Sequence, residues 1–233
     1  MMPPTHLAPG LDSDPLTIEG DAYRHLFRSR RMAVGDALRV VDGRGRARHG
    51  TIEAVDRKRA TVRLGDVLDA REPTRRIRLK VGAPRPERAG WLVEKATEIG
   101  VDRITFVGTD RTPRDYGDGR LDRLRRMAVS AVEQCGRSWC PPIDGVVSWD
   151  QALDQAATIP ALVLVPGAEA LADRWAIDAS DSVIEVWIGP EGGFTDDEVA
   201  TLTARGVLPV GLGTSILRVE TAAIAVSALL LCR

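Results

Sequence analysis

The residues best equipped for chemistry lie near the carboxyl terminus. Ile188-Gly189-Pro190-Glu191-Gly192-Gly193-Phe194-Thr195 sets three glycines around a proline, after an apolar run and before a helix start. Glycine lets a backbone turn tightly and come close to a ligand. A helix start offers N–H donors with no partner inside the helix. Glycine-rich turns after strands are also common as plain turns, so this motif alone leaves both readings open. A second stretch runs Gly211-Leu212-Gly213-Thr214-Ser215-Ile216-Leu217-Arg218-Val219-Glu220. It too leaves a strand, bends at glycine and enters a helix. Arg218 and Glu220 are charged residues at the mouth of that otherwise apolar helix. Two such bends at the carboxyl ends of neighbouring parallel strands form the usual ligand crevice of an open sheet. Neither stretch has the G-x-G-x-x-G order of a dinucleotide site or the Gly-Lys-Ser/Thr of a P-loop, which argues against a nicotinamide or ATP enzyme.

The elements that must hold these bends follow from hydrophobic rhythm. Ile77–Val81, Ile104–Val107, Ala161–Val165, Val183–Ile188 and Val207–Val210 read as strands. Between them, 87–99, 121–135, 196–205 and 216–231 show helical spacing. Gly100 sits at a C-cap, and Thr195 with Glu198 forms the two ends of a capping box. Alternating strands and helices predict an α/β domain with a parallel sheet covered on both faces. Before residue 74 the pattern differs. Ala37–Val41, Arg46–Val55 and Ala60–Leu64 read as short strands separated by turns, which predicts a small β-barrel. Glu72-Pro73-Thr74 is a plausible linker, so the expected domains are 1–73 and 74–233.

Charge separates the same two regions. The 233 residues carry a net charge of −1, yet 21–63 holds 12 Lys+Arg against five Asp+Glu. A basic segment on an acidic body suggests a polyanionic partner for that segment. The longest apolar run, Ala222 to Cys232, is too short to cross a bilayer and reads as a buried helix. The amino terminus lacks a signal-peptide pattern, so a cytoplasmic protein is expected. Cys135, Cys140 and Cys232 read as free thiols, and no metal-ligand cluster stands out, so no metal is expected.

"IGPEGGFTDDEV" and "LGTSILRVETAAIAVSALL" resemble the two carboxyl-terminal signatures of the RsmE-type methyltransferases, which modify N3 of a uridine in small-subunit (16S) ribosomal RNA. The resemblance continues in "KATEIGVDRITFVGTDRT" and "AVEQCGRSWCPPI", and reaches "HLFRSRRMAVGDALRVVDGRG" near the amino terminus. It implies a SPOUT domain whose last segments thread into a deep trefoil knot, preceded by a PUA-like RNA-binding barrel. It implies S-adenosylmethionine as methyl donor, held by Leu164, Val165, Pro166, Ile188, Gly189, Pro190, Glu191, Gly192, Gly193, Leu212, Gly213, Ser215, Ile216 and Leu217. It also implies a homodimer. The chain departs from the family at Ser215, where arginine is common, at Ser29 and Arg30, where apolar residues are common, and at Asp110, where glutamate is frequent.

Uracil N3 carries a proton at neutral pH and must lose it to attack a methyl group. On the family reading, Arg218 stabilises the developing uracil anion, and Glu220 orients it or accepts the proton. Arg111 and Arg137 are candidate phosphate contacts, and His25 is a weaker candidate base. Arg24, Arg28, Arg30 and Arg31 are the candidates for RNA backbone binding. Two other readings stay open beside this one. One is an rRNA-binding or ribosome-assembly protein that has lost catalysis, for which Ser215 is the best support. The other is a SPOUT methyltransferase with a different RNA target. A small-molecule enzyme ranks last, because it leaves the basic segment unexplained.

Overall fold

The structure is a computed structural model that describes residues 3–8, 10–70, 72–112, 116–155, 159–171 and 183–232. The chain forms two compact units, 1–72 with 129–140, and 73–128 with 141–233.

The first unit is built on a five-stranded sheet. Its strands are β1 (Thr5–Leu7), β2 (Leu16–Glu19), β3 (Ala37–Val41), β4 (Ala47–Val55) and β5 (Arg59–Leu68), in the order β1-β3-β4-β5-β2. All pairings are antiparallel except β1 with β3. Alternate residues Leu38, Val40, Ile52, Val62 and Leu64 point inward and form its core with Ile18 and Leu26. A short helix α1 (Gly20–Tyr23) runs into a π-helical turn, Arg24–Ser29, whose Leu26 is buried. Residues 129–140 belong to this unit because Val132 packs on Val41 and Ala47. The expected strands at 37–41 and 46–55 are present, and the third is longer than its apolar stretch. Strands β1 and β2 and helix α1 carry no clear apolar period, and they are absent from the sequence reading.

The second unit is an α/β layer structure. Its strands are β6 (Arg76–Gly82), β7 (Arg103–Val107), β8 (Ile143–Val147), β9 (Ala161–Leu164), β10 (Val183–Ile188) and β11 (Leu208–Val210). They form one parallel sheet in the order β11-β9-β10-β6-β7-β8. The helices are α2 (Pro86–Ile99), α3 (Asp118–Cys135, of which only the residues up to 128 belong to this unit), α4 (Trp149–Asp154), α5 (Asp196–Ala204) and α6 (Val219–Leu231). Helices α2 and α6 pack side by side, and α6 lies on β6 and β10. Their first turns meet where Arg88 approaches Glu220, and their ends meet where Gly100 lies against Leu231, so they run parallel. Elsewhere Trp187 and Val163 of the sheet pack with Ala152 and Leu153 of α4 and Leu202 of α5. Strand β8 and helix α4 were not expected. The first follows two prolines and contains Asp144 and Gly145; the second is six residues long.

One boundary differs in a way that matters for function. The apolar pair Ile216-Leu217 reads as the start of the last helix, yet α6 begins at Val219, with Arg218 in extended conformation at its N-cap. Residues 212–218 are a loop, and Ile216 is 86% exposed.

Candidate functional site

Because the six strands are parallel, the segments that follow them leave along one edge of the sheet. The loop after β9 (165–171) and the loop after β11 (211–218) are hydrogen-bonded together. Val165 N–H donates to Val210 O at 3.0 Å, Gly211 N–H to Glu169 O at 2.8 Å, and Leu171 N–H to Gly211 O at 2.9 Å. A Cβ on Gly211 would lie 2.5 Å from Ala168 O, so only glycine allows this approach.

The loop after β10 (189–195) is held from the other side. Gly193 N–H closes a turn onto Pro190 O at 2.8 Å. Pro190 rests on the end of β6, where a Cβ on Gly82 would lie 2.6 Å from its ring. Arg85 N–H donates to Glu191 Oε1 at 3.0 Å. Arg111 Nη1 donates to Gly192 O at 2.7 Å and to Phe194 O at 3.4 Å. The capping box at Thr195 and Glu198 forms as read, and Glu198 Oε1 also accepts from Asp110 N–H at 2.9 Å. The loops after β6, β7 and β10 are thus fastened together, and β10 lies beside β9 in the sheet. The two glycine bends therefore stand at the ends of β10 and β11, on either side of the loop after β9.

The fourteen residues named as cofactor contacts all lie in these three segments. Leu164–Pro166 and Leu212–Leu217 belong to the pair of loops joined at Val210 and Gly211, and Ile188–Gly193 to the loop after the next strand. Close-approaching backbone replaces side chains at Gly82, Gly189 and Gly211, and half-buried Leu212 and Leu217 supply apolar surface. Ile216 is the most exposed large apolar side chain among the described residues, at 86%.

Arg218 is exposed and makes no side-chain hydrogen bond or ion pair among the described residues. Glu220 lies in the first turn of α6, with its side chain 12% exposed. Its Oε2 is buried and accepts no hydrogen bond among the described residues. The nearest cation is not Arg218 but Arg88 of α2, with Nη1 3.8 Å from Oε2. Sequence reasoning missed Arg88, although a signal was present. A basic side chain in the first turn of a helix opposes the helix dipole and needs a reason to be there.

The structure disperses the other arginines. Arg24, Arg28, Arg30 and Arg31 are exposed on the π-helical turn and the residues after it, and Arg24 pairs with Asp21. His25 is exposed in the same segment. Arg111 secures the glycine loop through its carbonyls. Arg137 is 6% exposed. Its Nε and Nη2 donate to Glu72 Oε2 at 3.1 and 2.8 Å, while Glu72 Oε1 takes the N–H groups of Ser138 and Trp139. A guanidinium buried and committed in this way is not offered to a phosphate. Cys135, Cys140 and Cys232 form no disulfide among the described residues, and burial pushes the Cys140 thiol up to about 11.

Parallel sheet, glycine-lined carboxyl edge and a separate basic β unit define a class that comparison with known proteins makes specific. Residues 70–231 match an RNA methyltransferase domain, and residues 18–65 match the PUA domain of RNA methyltransferases. The ribosomal RNA small subunit methyltransferase E of Mycobacterium bovis is 32% identical over 219 residues, covering 88% of this chain and 82% of its own length. The enzyme of the same name from Neisseria gonorrhoeae, solved bound to S-adenosyl methionine, superposes with a TM-score of 0.89 at 27% identity, covering 98% of this chain and 97% of that one. A Legionella pneumophila methyltransferase in complex with the same cofactor gives 0.87 at 29% identity, covering 99% and 97%. The chain belongs to the ribosomal RNA small subunit methyltransferase E family of RNA methyltransferases.

Proposed function

We propose that this protein transfers a methyl group from S-adenosylmethionine to N3 of a uridine in small-subunit (16S) ribosomal RNA. The observation that carries this reading is the edge of the parallel sheet. Two glycine bends and the loop after β9 stand there on adjoining strands, with an exposed arginine and, at the start of the next helix, a carboxylate whose buried oxygen accepts no hydrogen bond among the described residues. Residues 164–166, 188–193 and 212–217 hold the cofactor, chiefly through backbone groups. When bound, S-adenosylmethionine supplies an electrophilic methyl group. Arg218 faces the uracil carbonyl oxygens and stabilises the anion that forms when N3 loses its proton. Glu220 accepts that proton, and the electron pair stays on N3. Holding both reactants in line supplies much of the rate.

The amino-terminal unit, about residues 1–73, binds the RNA backbone through Arg24, Arg28, Arg30 and Arg31. Residues 74–233 carry catalysis, with no metal. The carboxyl-terminal segments are knotted, a reading supported by the placement of β10 between β6 and β9. The protein acts as a homodimer in the cytoplasm. Support for a dimer comes from α6, where Thr221, Ile224, Ala225, Ala228 and Leu229 leave a partly exposed, largely apolar stripe at helical spacing, and from exposed Trp91 on α2. No helix among the described residues is long and apolar enough to cross a membrane.

Mass analysis of ribosomal RNA from a deletion strain tests the activity. Loss of one 3-methyluridine, restored by the wild-type gene, is the expected result, and an unchanged modification pattern overturns it. Calorimetric titration with S-adenosylmethionine separates an enzyme from an assembly factor of the same fold, since the latter gives no binding.

A further inference from the structure

We propose that Arg88 is a positioning residue for methyl transfer, holding the Glu220 carboxylate in place and balancing its charge without occupying its hydrogen-bond acceptors. This inference rests on the reading of Glu220 as the proton acceptor, and three observations support it. First, Glu220 has the only carboxylate oxygen among the described residues that is buried without a hydrogen-bond donor. Leaving a buried charged acceptor unsatisfied is costly, and such groups gather where chemistry needs them. Second, Arg88 Nη1 lies 3.8 Å from that oxygen, which is within electrostatic contact and beyond a hydrogen bond. At this separation Arg88 offsets the charge while the oxygen lone pairs stay free for the N3 proton. Third, both residues sit where the helices direct them. Glu220 is in the first turn of α6, where the helix dipole favours an anion. Arg88 is in the first turn of α2, where the dipole opposes a cation, and the favourable acidic residue of that turn is its neighbour Glu87. The parallel packing of the two helices brings these first turns together. Arg88 is therefore placed against its own helix in order to serve the neighbouring one, the kind of local conflict expected at a functional site.

The test is a double-mutant cycle on the full-length protein, with ribosomal RNA from the deletion strain as methyl acceptor. R88Q should lower kcat by about 10-fold or more while the KM values for S-adenosylmethionine and RNA stay within about twofold. R88K should recover most of the rate, because it restores the charge. R88Q/E220Q should be no slower than E220Q, since Arg88 acts only through Glu220. Thermal melting of each variant, together with the retained activity of R88K, separates misfolding from lost positioning. An R88Q variant of wild-type rate overturns the proposal, as do R88Q and E220Q losses that multiply. A loss confined to KM for RNA also overturns it, by making Arg88 a phosphate contact. If the wild-type protein transfers no methyl group, the functional reading itself fails, and this inference fails with it.

Discussion

Two buried glutamates in the second unit are built in opposite ways. Glu185, on β10, is fully engaged. Its Oε1 accepts from Trp187 Nε1 at 2.8 Å, and its Oε2 lies 3.4 Å from Lys80 Nζ. Lys80 in turn donates to Ala152 O at 2.5 Å and lies over the Trp187 ring. Both side chains of this ion pair are about 5% exposed or less. Burial pushes the Glu185 carboxyl up and the Lys80 ammonium down, each against the pull of its partner. Glu220 is less deeply buried, its side chain 12% exposed, with no hydrogen-bond donor among the described residues and a cation held at arm's length. Position in the sheet accounts for the contrast. Glu185 and Lys80 lie in mid-strand, where a side chain has fixed neighbours on both sides. They line a cavity of about 230 Å³ with Arg78, Arg103, Thr105 and Asp144, and Arg103 and Thr105 both donate to Asp144 at 2.9 Å. Glu220 lies beyond the carboxyl edge, where ligands bind in folds of this kind. A buried acid with every partner present is structural. On the proposed reading, one without donors is kept free to take the substrate proton.

The contrast predicts that exchanging charge for amide separates stability from activity. The largest effect is on catalysis by E220Q. Removing the proton acceptor should cost about 10²–10⁴-fold in kcat, with calorimetric affinity for S-adenosylmethionine retained. The melting temperature should stay the same or rise, because an unsatisfied charge is lost. Retained activity in E220Q, or a fall in melting temperature as large as that of a structural mutant, breaks the comparison.

Lys80→Met should do the reverse. It strands Glu185 beside Trp187 with no countercharge, at a cost of about 3–5 kcal/mol in unfolding free energy. Replacing both partners, as in K80M/E185M, should regain most of that loss, because an apolar pair of similar size needs no desolvation. Denaturant titration measures both variants, and the folded fraction of each should still bind S-adenosylmethionine. A K80M protein as stable as wild type would show that the Lys80–Glu185 pair contributes nothing to holding the sheet.

Much of this architecture was legible in the sequence, for physical reasons that also explain the gaps. Val183–Ile188 is a continuous apolar run bounded by turn residues, as a strand buried on both faces must be. Thr195 and Glu198 signal a helix start through a local, reciprocal pair of hydrogen bonds. The bend after β10 was therefore placed from neighbouring residues alone, whereas the helix after the second bend begins at Val219 and not at Ile216. What remained hidden depends on distance in the chain. Arg137 reads as a surface cation until Glu72, 65 positions away, is folded against it. The partnership of Arg88 with Glu220 spans most of the second unit and exists only because α2 and α6 run parallel. Ile216 and Leu217 continue the apolar pattern of α6, yet they lie in a loop, because the pattern records a preference for burial and not what provides it.

A third glutamate sharpens the rule in the first unit with the smallest effect. Glu133 Oε1 pairs with His6 Nδ1 at 3.0 Å and accepts from Leu7 N–H at 3.1 Å. Burial alone would push its carboxyl up. The hydrogen bonds from His6 and Leu7 and the positive charge of His6 and His25 outweigh that, and hold it below the usual glutamate range. Its stabilising contribution is therefore present above the unfolded glutamate value of about 4.3 and is lost as pH falls through the lower folded value. Glu133→Gln keeps an acceptor for Leu7 and loses the charge, so it should cost about 1 kcal/mol near neutral pH. It should also flatten the acid side of the stability curve. Amide hydrogen exchange along β1 and β3 reads this locally, where Leu7 pairs with Val41. The wild type should lose protection below about pH 4 more steeply than the variant. Parallel curves for the two proteins would show that Glu133 titrates no differently when folded. The link between a half-buried, hydrogen-bonded glutamate and stability would then fail in this unit.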